Sequence, residues 1–381
     1  MSIVPSNRKL IIDTRCEVYD LIKHRADGIF WNLKQHELVP GAIYVIGRQQ
    51  VLDNRAEIRE LALKNTIKIV ISNPHEGSIT LVGVCQQAGL LDLVQTGQIL
   101  ILGGGDMDAS YTYLQYDSFL PKIYDYKENV AAAQLIDSFY TDQKPYKFLF
   151  MNGRARPNRK YLLERFRSTG LLDHAIWSNL DSFQYLDGCS ELELWHNDTN
   201  LMLSPSIVQS MPKQYECERY RKFDAVADTN YKKHALFNGE WGEVYLEPAA
   251  YQDSYFSMVT ETVFTYPHSF RTEKIWKPVA IGHPFVVSAN RGYYRDLHNL
   301  GFKTFGHVID QSFDLIDNNQ DRIERTAKLV EDLCNQDLAS FMKQCYTVCK
   351  YNQQHLAHMS VQVRKEFPDR FFAFLQKYIN E

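Results

Sequence analysis

Short apolar runs alternate with amphipathic stretches along the first 145 residues of this 381-residue chain. The runs have the lengths of strands, and the stretches between them have the lengths of helices. This alternation predicts a doubly wound parallel sheet. The predicted strands are Lys9–Asp13, Ala42–Gly47, Ile67–Ser72 and Gln98–Leu102, and the predicted helices are Arg55–Lys64, Ser78–Ala88 and Asn129–Phe139.

A polar linker over 140–145 ends this pattern, and a second α/β pattern follows it. The sequence therefore predicts an N-terminal α/β domain over 1–145 and a C-terminal α/β domain over 146–320. Residues 181–250 are less regular. The remaining residues, 321–381, predict helices that pack on or between the domains, over Asp321–Cys334, Leu338–Lys350 and Val361–Tyr378.

The segment 255–288 holds charged residues at the boundaries of its predicted elements. An apolar run ends at Glu261, and Thr272-Glu273-Lys274 opens a helical stretch that continues through Trp276 and Lys277. Acidic and basic groups at a helix start are typical of sites for anionic ligands, because the free N–H groups and the helix dipole favour negative charge. Taken alone, Thr272 is also an ordinary N-cap, and Glu273 with Lys277 an ordinary i,i+4 pair.

A second motif lies over 147–166, where an apolar strand runs into Asn152-Gly153 and a basic loop before an amphipathic helix. The loop and the start of the helix carry Arg154, Arg156, Arg159 and Lys160. Because a guanidinium offers two parallel hydrogen bonds to phosphate oxygens, this cluster indicates phosphate binding. A solvated basic loop, or one that binds nucleic acid, has the same composition.

Together, 147–166 and 255–310 resemble the donor-binding stretches of α1,3-fucosyltransferases and related nucleotide-sugar glycosyltransferases. The resemblance implies two Rossmann-like domains that face each other across a cleft (the GT-B arrangement), with the donor bound by the C-terminal domain. It implies that Arg159 contacts the donor diphosphate. Pro278 departs from the family pattern, which has a helix former there, and predicts a kinked or shortened helix.

Transfer of a sugar from a nucleoside diphosphate leaves negative charge on the diphosphate, so nearby cations lower the barrier. Under this resemblance each substrate-binding residue has a role. The cations that face the diphosphate are Arg156, Arg159, Lys274 and Lys277. Glu273 accepts hydrogen bonds from donor hydroxyls, and Glu261 holds the sugar or orients a cation. Thr272 completes the helix start. A strand-end salt bridge is the alternative for Glu261.

An inverting enzyme also needs a general base, commonly a carboxylate. The candidates are Glu76, in a loop after the third predicted strand, and Asp106, after the fourth, with Asp13 as a third option. Asp106 and Asp108 also form a DxD pair, which binds a divalent metal in GT-A glycosyltransferases. The arginine and Thr-Glu-Lys motifs favour the metal-free GT-B alternative, so no metal or other cofactor is predicted.

Composition and missing motifs argue against several other classes of protein. The net charge of −4, with 23% charged residues, argues against a protein that coats nucleic acid. The seven scattered cysteines form no zinc spacing, and no apolar run is long enough to cross a membrane. The Gly103–Gly105 run lacks dinucleotide-binding spacing, and no P-loop occurs. The sequence thus predicts a cytoplasmic protein of bacterial or bacteriophage origin, with no membrane span.

The residues and the resemblance together predict a glycosyltransferase, inverting and metal-independent, that uses a nucleotide-diphosphate sugar. The acceptor hydroxyl belongs to a glycan, a protein, a small molecule or a hydroxymethylated DNA base. A non-catalytic nucleotide-sugar or glycan-binding protein is the alternative from another class.

Overall fold

In the computed structural model the described residues are 9–13, 16, 18–23, 29–31, 38, 40–125, 127–141, 143–152, 156–179, 244, 246 and 248–379. Arg154 and the irregular stretch 181–243 lie outside them. The chain forms two compact units, Met1–Ser118 with Val361–Glu381, and Phe119–Ser360. This division differs from the predicted boundary at 145, because the segment after residue 118 packs on the second unit. There Asn129 Nδ2 donates to Val244 O at 2.8 Å, and its Oδ1 accepts from the N–H of Leu246 at 2.8 Å.

The first unit is α/β, and the described strands pair in parallel in the order β2-β1-β3-β4-β5-β6. All four predicted strands are present. The elements are β1 (Lys9–Asp13), α1 (Val18–Ile22), β2 (Ile29–Trp31), β3 (Ala42–Ile46), α2 (Arg48–Asp53), α3 (Arg55–Leu63), β4 (Lys68–Gly77), α4 (Ser78–Gln87), α5 (Leu91–Gln95), β5 (Ile99–Gly104) and β6 (Tyr113–Gln115).

The second unit is also α/β, and its described strands pair in parallel in the order β10-β9-β7-β8. Its elements are α6 (Phe119–Lys122), α7 (Lys127–Ala133), α8 (Ile136–Phe139), β7 (Tyr146–Asn152), α9 (Pro157–Ser168), β8 (Ala175–Asn179), α10 (Pro248–Gln252), β9 (Ser254–Thr260), α11 (Glu273–Ile281), β10 (Phe285–Ser288), α12 (Tyr293–Asn299), α13 (Asn319–Cys334) and α14 (Leu338–Ile379). Short 3₁₀ turns lie at Ile123–Asp125, Leu171–His174 and Ser312–Leu315.

The end of the chain is one helix, where the sequence predicted two. Residues 351–360 are polar but contain no Gly or Pro, so nothing in the backbone stops the helix there. Asn352 fixes this stretch, since its amide accepts from the N–H of Lys303 and donates to Lys303 O, both at 2.8 Å. Leu338–Ser360 belongs to the second unit, and the rest of α14 belongs to the first.

Each face of the first sheet is covered by helices. One face packs Ile11, Tyr44 and Ile69 against residues of α2–α5. The other packs strand residues such as Ile12 and Val70 against α1 and the aromatic residues of the end of α14. Alternate strand positions face the two layers, as the period of a strand requires. Among the described residues, no helix is both long and apolar enough to cross a membrane.

The second sheet has a topological switch point between β7 and β9. Helix α9, which follows β7, covers one face, where Phe166 packs edge-to-face against Phe148 with ring centroids 5.6 Å apart. Helix α11, which follows β9, covers the other face, where Ile281 joins the cluster around Leu149. The two connections leave the sheet in opposite directions, an arrangement that places a crevice at the carboxyl ends of β7 and β9. Ligands of open parallel sheets bind in such crevices.

A buried carboxyl group at the start of α12 predicts a measurable pH dependence. Asp314 Oδ2 accepts from the N–H of Tyr294 at 3.1 Å, and burial raises the pKa of Asp314 to about 6, with Asp296 adding repulsion and backbone N–H groups opposing the shift. The native state then holds this proton more tightly than the unfolded chain does. The stabilising contribution is therefore full below the unfolded pKa of about 3.9 and is lost as the pH rises through 6.

We expect the parent to lose about 2–3 kcal/mol of unfolding free energy relative to Asp314→Asn as the pH rises from 4 to 7. Urea unfolding of both proteins across this range measures it. A difference that stays constant with pH would contradict the assignment.

Candidate functional site

The four strands of the second sheet end in a row of polar residues. Ser288, Thr260, Asn152 and Asn179 occupy the same register position, as the last residues of β10, β9, β7 and β8. Ser288, Thr260 and Asn152 are each 1% exposed, and Thr260 Oγ1 donates to Asn152 Oδ1 at 2.7 Å. This polar row is the floor of the crevice at the switch point.

The predicted phosphate-binding arginines lie at this crevice. Arg156 is the N-cap of α9 and Arg159 lies in its first turn, and both are buried. Arg159 Nη2 donates to the backbone carbonyl of Thr260 at 3.1 Å, which joins the start of α9 to the end of β9. The structure thus brings the 147–166 motif and the 255–288 motif together.

Glu261 follows β9 directly and is completely buried. Its Oε1 accepts from the N–H of Thr272 at 3.1 Å and from the Tyr293 hydroxyl at 2.9 Å, and its Oε2 accepts from the Thr272 hydroxyl at 2.6 Å. Burial raises the pKa of Glu261, against the opposing effects of Lys274 and the Thr272 hydrogen bonds. These contacts hold Thr272, the residue that precedes α11. The predicted role of Glu261 in holding the sugar stays a prediction.

The Thr-Glu-Lys sequence forms the start of α11. Thr272 is the N-cap, and its side-chain oxygen accepts from the N–H of Lys274 at 3.3 Å. Lys274 Nζ lies 2.6 Å from Glu273 Oε1. Burial alone would raise the pKa of Glu273, but the ammonium groups of Lys274 and Lys277 lower it below its ordinary value. Glu273 is therefore held as a carboxylate, beside half-buried cations.

The helix does not stop at Pro278, although the sequence predicted a kink or an early end there. It continues to Ile281 and ends at Gly282, whose φ of +76° is left-handed. A side chain at Gly282 would also lie 2.2 Å from Ile136 Cδ1. The C-terminal glycine, and not the proline, therefore sets the length of α11.

Replacing Thr272 with alanine removes both the cap and a donor to a buried carboxyl group. We expect the unfolding free energy to fall by roughly 2–3 kcal/mol, as the sum of a lost N-cap and an unsatisfied buried acceptor. Thr272→Ser keeps the hydroxyl and should lose less than about 1 kcal/mol. Equal losses for the two variants in urea unfolding would show that the hydroxyl is not what matters.

The two candidate general bases lie on neighbouring strands of the first sheet. β4 pairs through Asn73 with Gly103 and through Gly77 with Gly104, so the three residues between Asn73 and Gly77 form a bulge. Glu76 lies in this bulge and is half-buried. Asp106 follows β5 and is also half-buried. Both carboxyl groups therefore lie at the carboxyl edge of this sheet, and their catalytic role stays a prediction.

Two further carboxyl groups of this unit have structural contacts. Asp13 lies at the end of β1, is fully buried, and accepts from Gln50 Nε2 at 2.7 Å. Asp108 is exposed and accepts from the N–H of Ser110 at 2.7 Å, which closes a turn. Within the described part of the chain, no group of three or more His, Cys, Asp or Glu side chains could hold a metal ion. Metal independence stays a prediction.

Two structural residues near the crevice escaped the sequence prediction. Tyr293, which bonds Glu261, follows a glycine and carries no motif. Arg322 donates to the backbone carbonyls of Phe264 and Ala289 at 2.9 and 3.3 Å, which joins the loops after β9 and β10. Its place on the buried stripe of α13 is a signal that helical periodicity offers. At the opposite, amino edge of the sheet, His283 is buried between the Ser257 hydroxyl and the Ser254 carbonyl, and burial lowers its pKa to about 3.

Comparison with known proteins gives a distant structural likeness only. No protein-family model matches this chain, and no curated protein matches it significantly. Among solved structures, it is similar to a UDP-forming α,α-trehalose-phosphate synthase from Burkholderia xenovorans, with 14% identity, a TM-score of 0.38, and coverage of 91% of this chain and 76% of that one.

Two more trehalose-phosphate synthase structures give similar values. The enzyme from Burkholderia multivorans has 12% identity and a TM-score of 0.40, with 90% of this chain and 72% of that one covered. The UDP-forming enzyme from Burkholderia vietnamiensis has 13% identity and a TM-score of 0.39, with coverage of 91% and 74%. Values this low decide neither the fold nor the activity of this chain.

Proposed function

We propose that this protein is a glycosyltransferase that binds a nucleotide-diphosphate sugar at the carboxyl edge of its second sheet. One observation carries the proposal. The described segments 156–160 and 261–277, which follow β7 and β9, hold six cationic side chains and two carboxyl groups, in a chain whose net charge is −4. The cations are Arg156, Arg159, Lys160, Arg271, Lys274 and Lys277.

Several of these cations are protected from water. Arg156, Arg159 and Arg271 are 5%, 3% and 1% exposed. Electrostatic interactions are stronger in such surroundings than in water, because the local dielectric constant is lower. An anion that enters this crevice would gain from the positive charge of both motifs. A diphosphate has the negative charge and the several acceptor oxygens that guanidinium and ammonium groups bind.

The same groups suit the chemistry of sugar transfer. As the bond between the anomeric carbon and the diphosphate oxygen breaks, negative charge grows on the leaving diphosphate. Lys274 and Arg159 would stabilise that charge, and the Glu273 carboxylate would accept hydrogen bonds from donor hydroxyls. We retain Glu76 and Asp106 as alternative general bases for the acceptor hydroxyl, and we propose inversion without a metal ion.

A turnover assay tests this function. The protein is incubated with UDP-, GDP-, dTDP- and CMP-sugars and an acceptor panel of glycans, small molecules and hydroxymethylated DNA, and nucleotide release is measured with and without EDTA. We expect release from one class of nucleoside diphosphate sugar, dependent on the acceptor and unchanged by EDTA. Tight binding of a nucleotide sugar without nucleotide release would favour the non-catalytic alternative. Release that needs a metal ion would favour metal binding by Asp106 and Asp108.

A further inference from the structure

The first turn of α9 combines several hydrogen-bond donors. The helix has 12 residues, its N-cap Arg156 is extended, and no side-chain hydrogen bond caps it. Helix geometry leaves first-turn N–H groups, including that of Asn158, without an intrahelical acceptor, and the dipole makes this end positive. Such an end attracts anions, but many helices have one, so it does not define a site by itself.

A second observation in the same turn points to a ligand. Asn158 is 2% exposed, and its Nδ2 is buried without a hydrogen-bond partner among the described residues. Most buried amide groups in folded proteins have partners, because leaving one unpaired costs free energy. The missing partner of an Nδ2 group is an acceptor, and a phosphate oxygen is one.

The first turn of α9 lies beside the polar row. Arg159, the next residue, bonds the backbone of Thr260 in the polar row, so the turn lies against the floor of the crevice. At the β10 end of that row, Ser288 Oγ is also buried and has no hydrogen-bond partner in the part of the chain that the structure describes. Polar groups without partners thus occur both at the start of α9 and in the polar row. Both lie where the topology places a ligand.

We propose that the first turn of α9 is a phosphate site in which Asn158 Nδ2 donates directly to a phosphate oxygen, together with the first-turn N–H groups. This assignment rests on the proposed function, since it takes the phosphate to be one of the donor diphosphate. It gives Asn158 a binding role that no motif in the sequence indicates. Arg159 supplies the neighbouring positive charge.

Two variants separate a phosphate ligand from a structural residue. Asn158→Asp places a carboxylate at a positive helix end, where it favours the fold, but it repels a phosphate. Asn158→Ala removes the side-chain N–H donor without adding a charge. Asn299→Asp, at an exposed position at the end of α12, is the matched control for the charge change.

The probes are inorganic pyrophosphate and the nucleoside diphosphates UDP, GDP and dTDP. Calorimetry measures their binding, and thermal unfolding measures the melting temperature of each protein without ligand. We expect Asn158→Asp to weaken pyrophosphate binding at least 50-fold and Asn158→Ala to weaken it 5- to 10-fold. Neither should lower the ligand-free melting temperature by more than 2 °C. Asn299→Asp should leave the affinity for pyrophosphate within twofold of the parent.

Unchanged affinity for pyrophosphate and nucleoside diphosphates in both Asn158 variants would overturn the assignment, and so would a large loss of ligand-free stability without weaker binding. If both Asn158 variants bind nucleoside diphosphates as tightly as the parent does, this inference is wrong and the proposed function stands. Pyrophosphate binding that depends on Asn158, without binding of any nucleotide sugar, supports the phosphate site and contradicts the proposed function. If the parent protein binds neither probe, both are wrong.

Discussion

Replacing Lys274 with methionine should lower kcat for sugar transfer by about 10²- to 10³-fold, the usual effect of removing one group that stabilises developing charge. Lys274 Nζ lies at the start of α11, beside Glu273 Oε1, in the crevice where we propose that the diphosphate leaves. Methionine matches the length of the lysine side chain without its charge. The loss should appear mainly in kcat, because the charge on the leaving group is largest in the transition state.

Lys328→Met is the matched control for this experiment. Lys328 belongs to the same unit and is also ion-paired, with Asp332 Oδ1 at 2.7 Å, but it lies on the exposed face of α13. This variant should keep kcat and KM within twofold of the parent. A Lys274→Met enzyme with kcat/KM within fivefold of the parent would contradict the role of Lys274, provided that its melting curve shows it folded.

Replacing Phe367 with alanine should lower the unfolding free energy of the first unit by about 3–5 kcal/mol, the usual cost of removing a buried aromatic ring. Phe367 is 0% exposed, and its ring centroid lies 4.5 Å from that of Tyr116 and 5.9 Å from that of Phe371. The ring belongs to the core on one face of the first sheet. The melting temperature of this unit should fall by on the order of 10 °C.

Val361→Ala controls for changes to the helix itself. Val361 lies in the same helix, α14, and is 67% exposed, so its replacement should change the unfolding free energy by less than about 0.5 kcal/mol. Equal stability of the Phe367 and Val361 variants in thermal unfolding would show that the end of α14 is not part of the core of the first unit.

The strands and helices were predictable where periodicity and end signals agree. The runs around Ile43, Ile69 and Leu100 are apolar on both faces, so their assignment as buried parallel strands is confirmed. The end of the first unit was not predictable. The sequence places Phe367 and Phe371 in a C-terminal helix, but which sheet they cover depends on long-range packing, which no local pattern contains.

The candidate site was also predictable only in part. Charged residues at element ends, such as Lys274 and Arg159, stand out in a sequence, and the structure brings their two motifs to one crevice. The contacts of Glu261 were not predictable, because Tyr293 lies 32 residues away and joins it only through the β9–β10 pairing. Asn158 gave no signal at all, since only burial distinguishes it from a surface asparagine.

The most direct test of the central claim is a thermal-shift measurement of the parent protein with UDP-, GDP-, dTDP- and CMP-sugars, each with and without Mg²⁺ or Mn²⁺. A ligand at about 100 times its Kd stabilises a protein by roughly 2.7 kcal/mol, which raises the melting temperature by several degrees. We predict such a shift for one class of nucleoside diphosphate sugar, equal in size with and without the metal. No shift with any of these ligands would contradict the claim that the second sheet binds a nucleotide-diphosphate sugar.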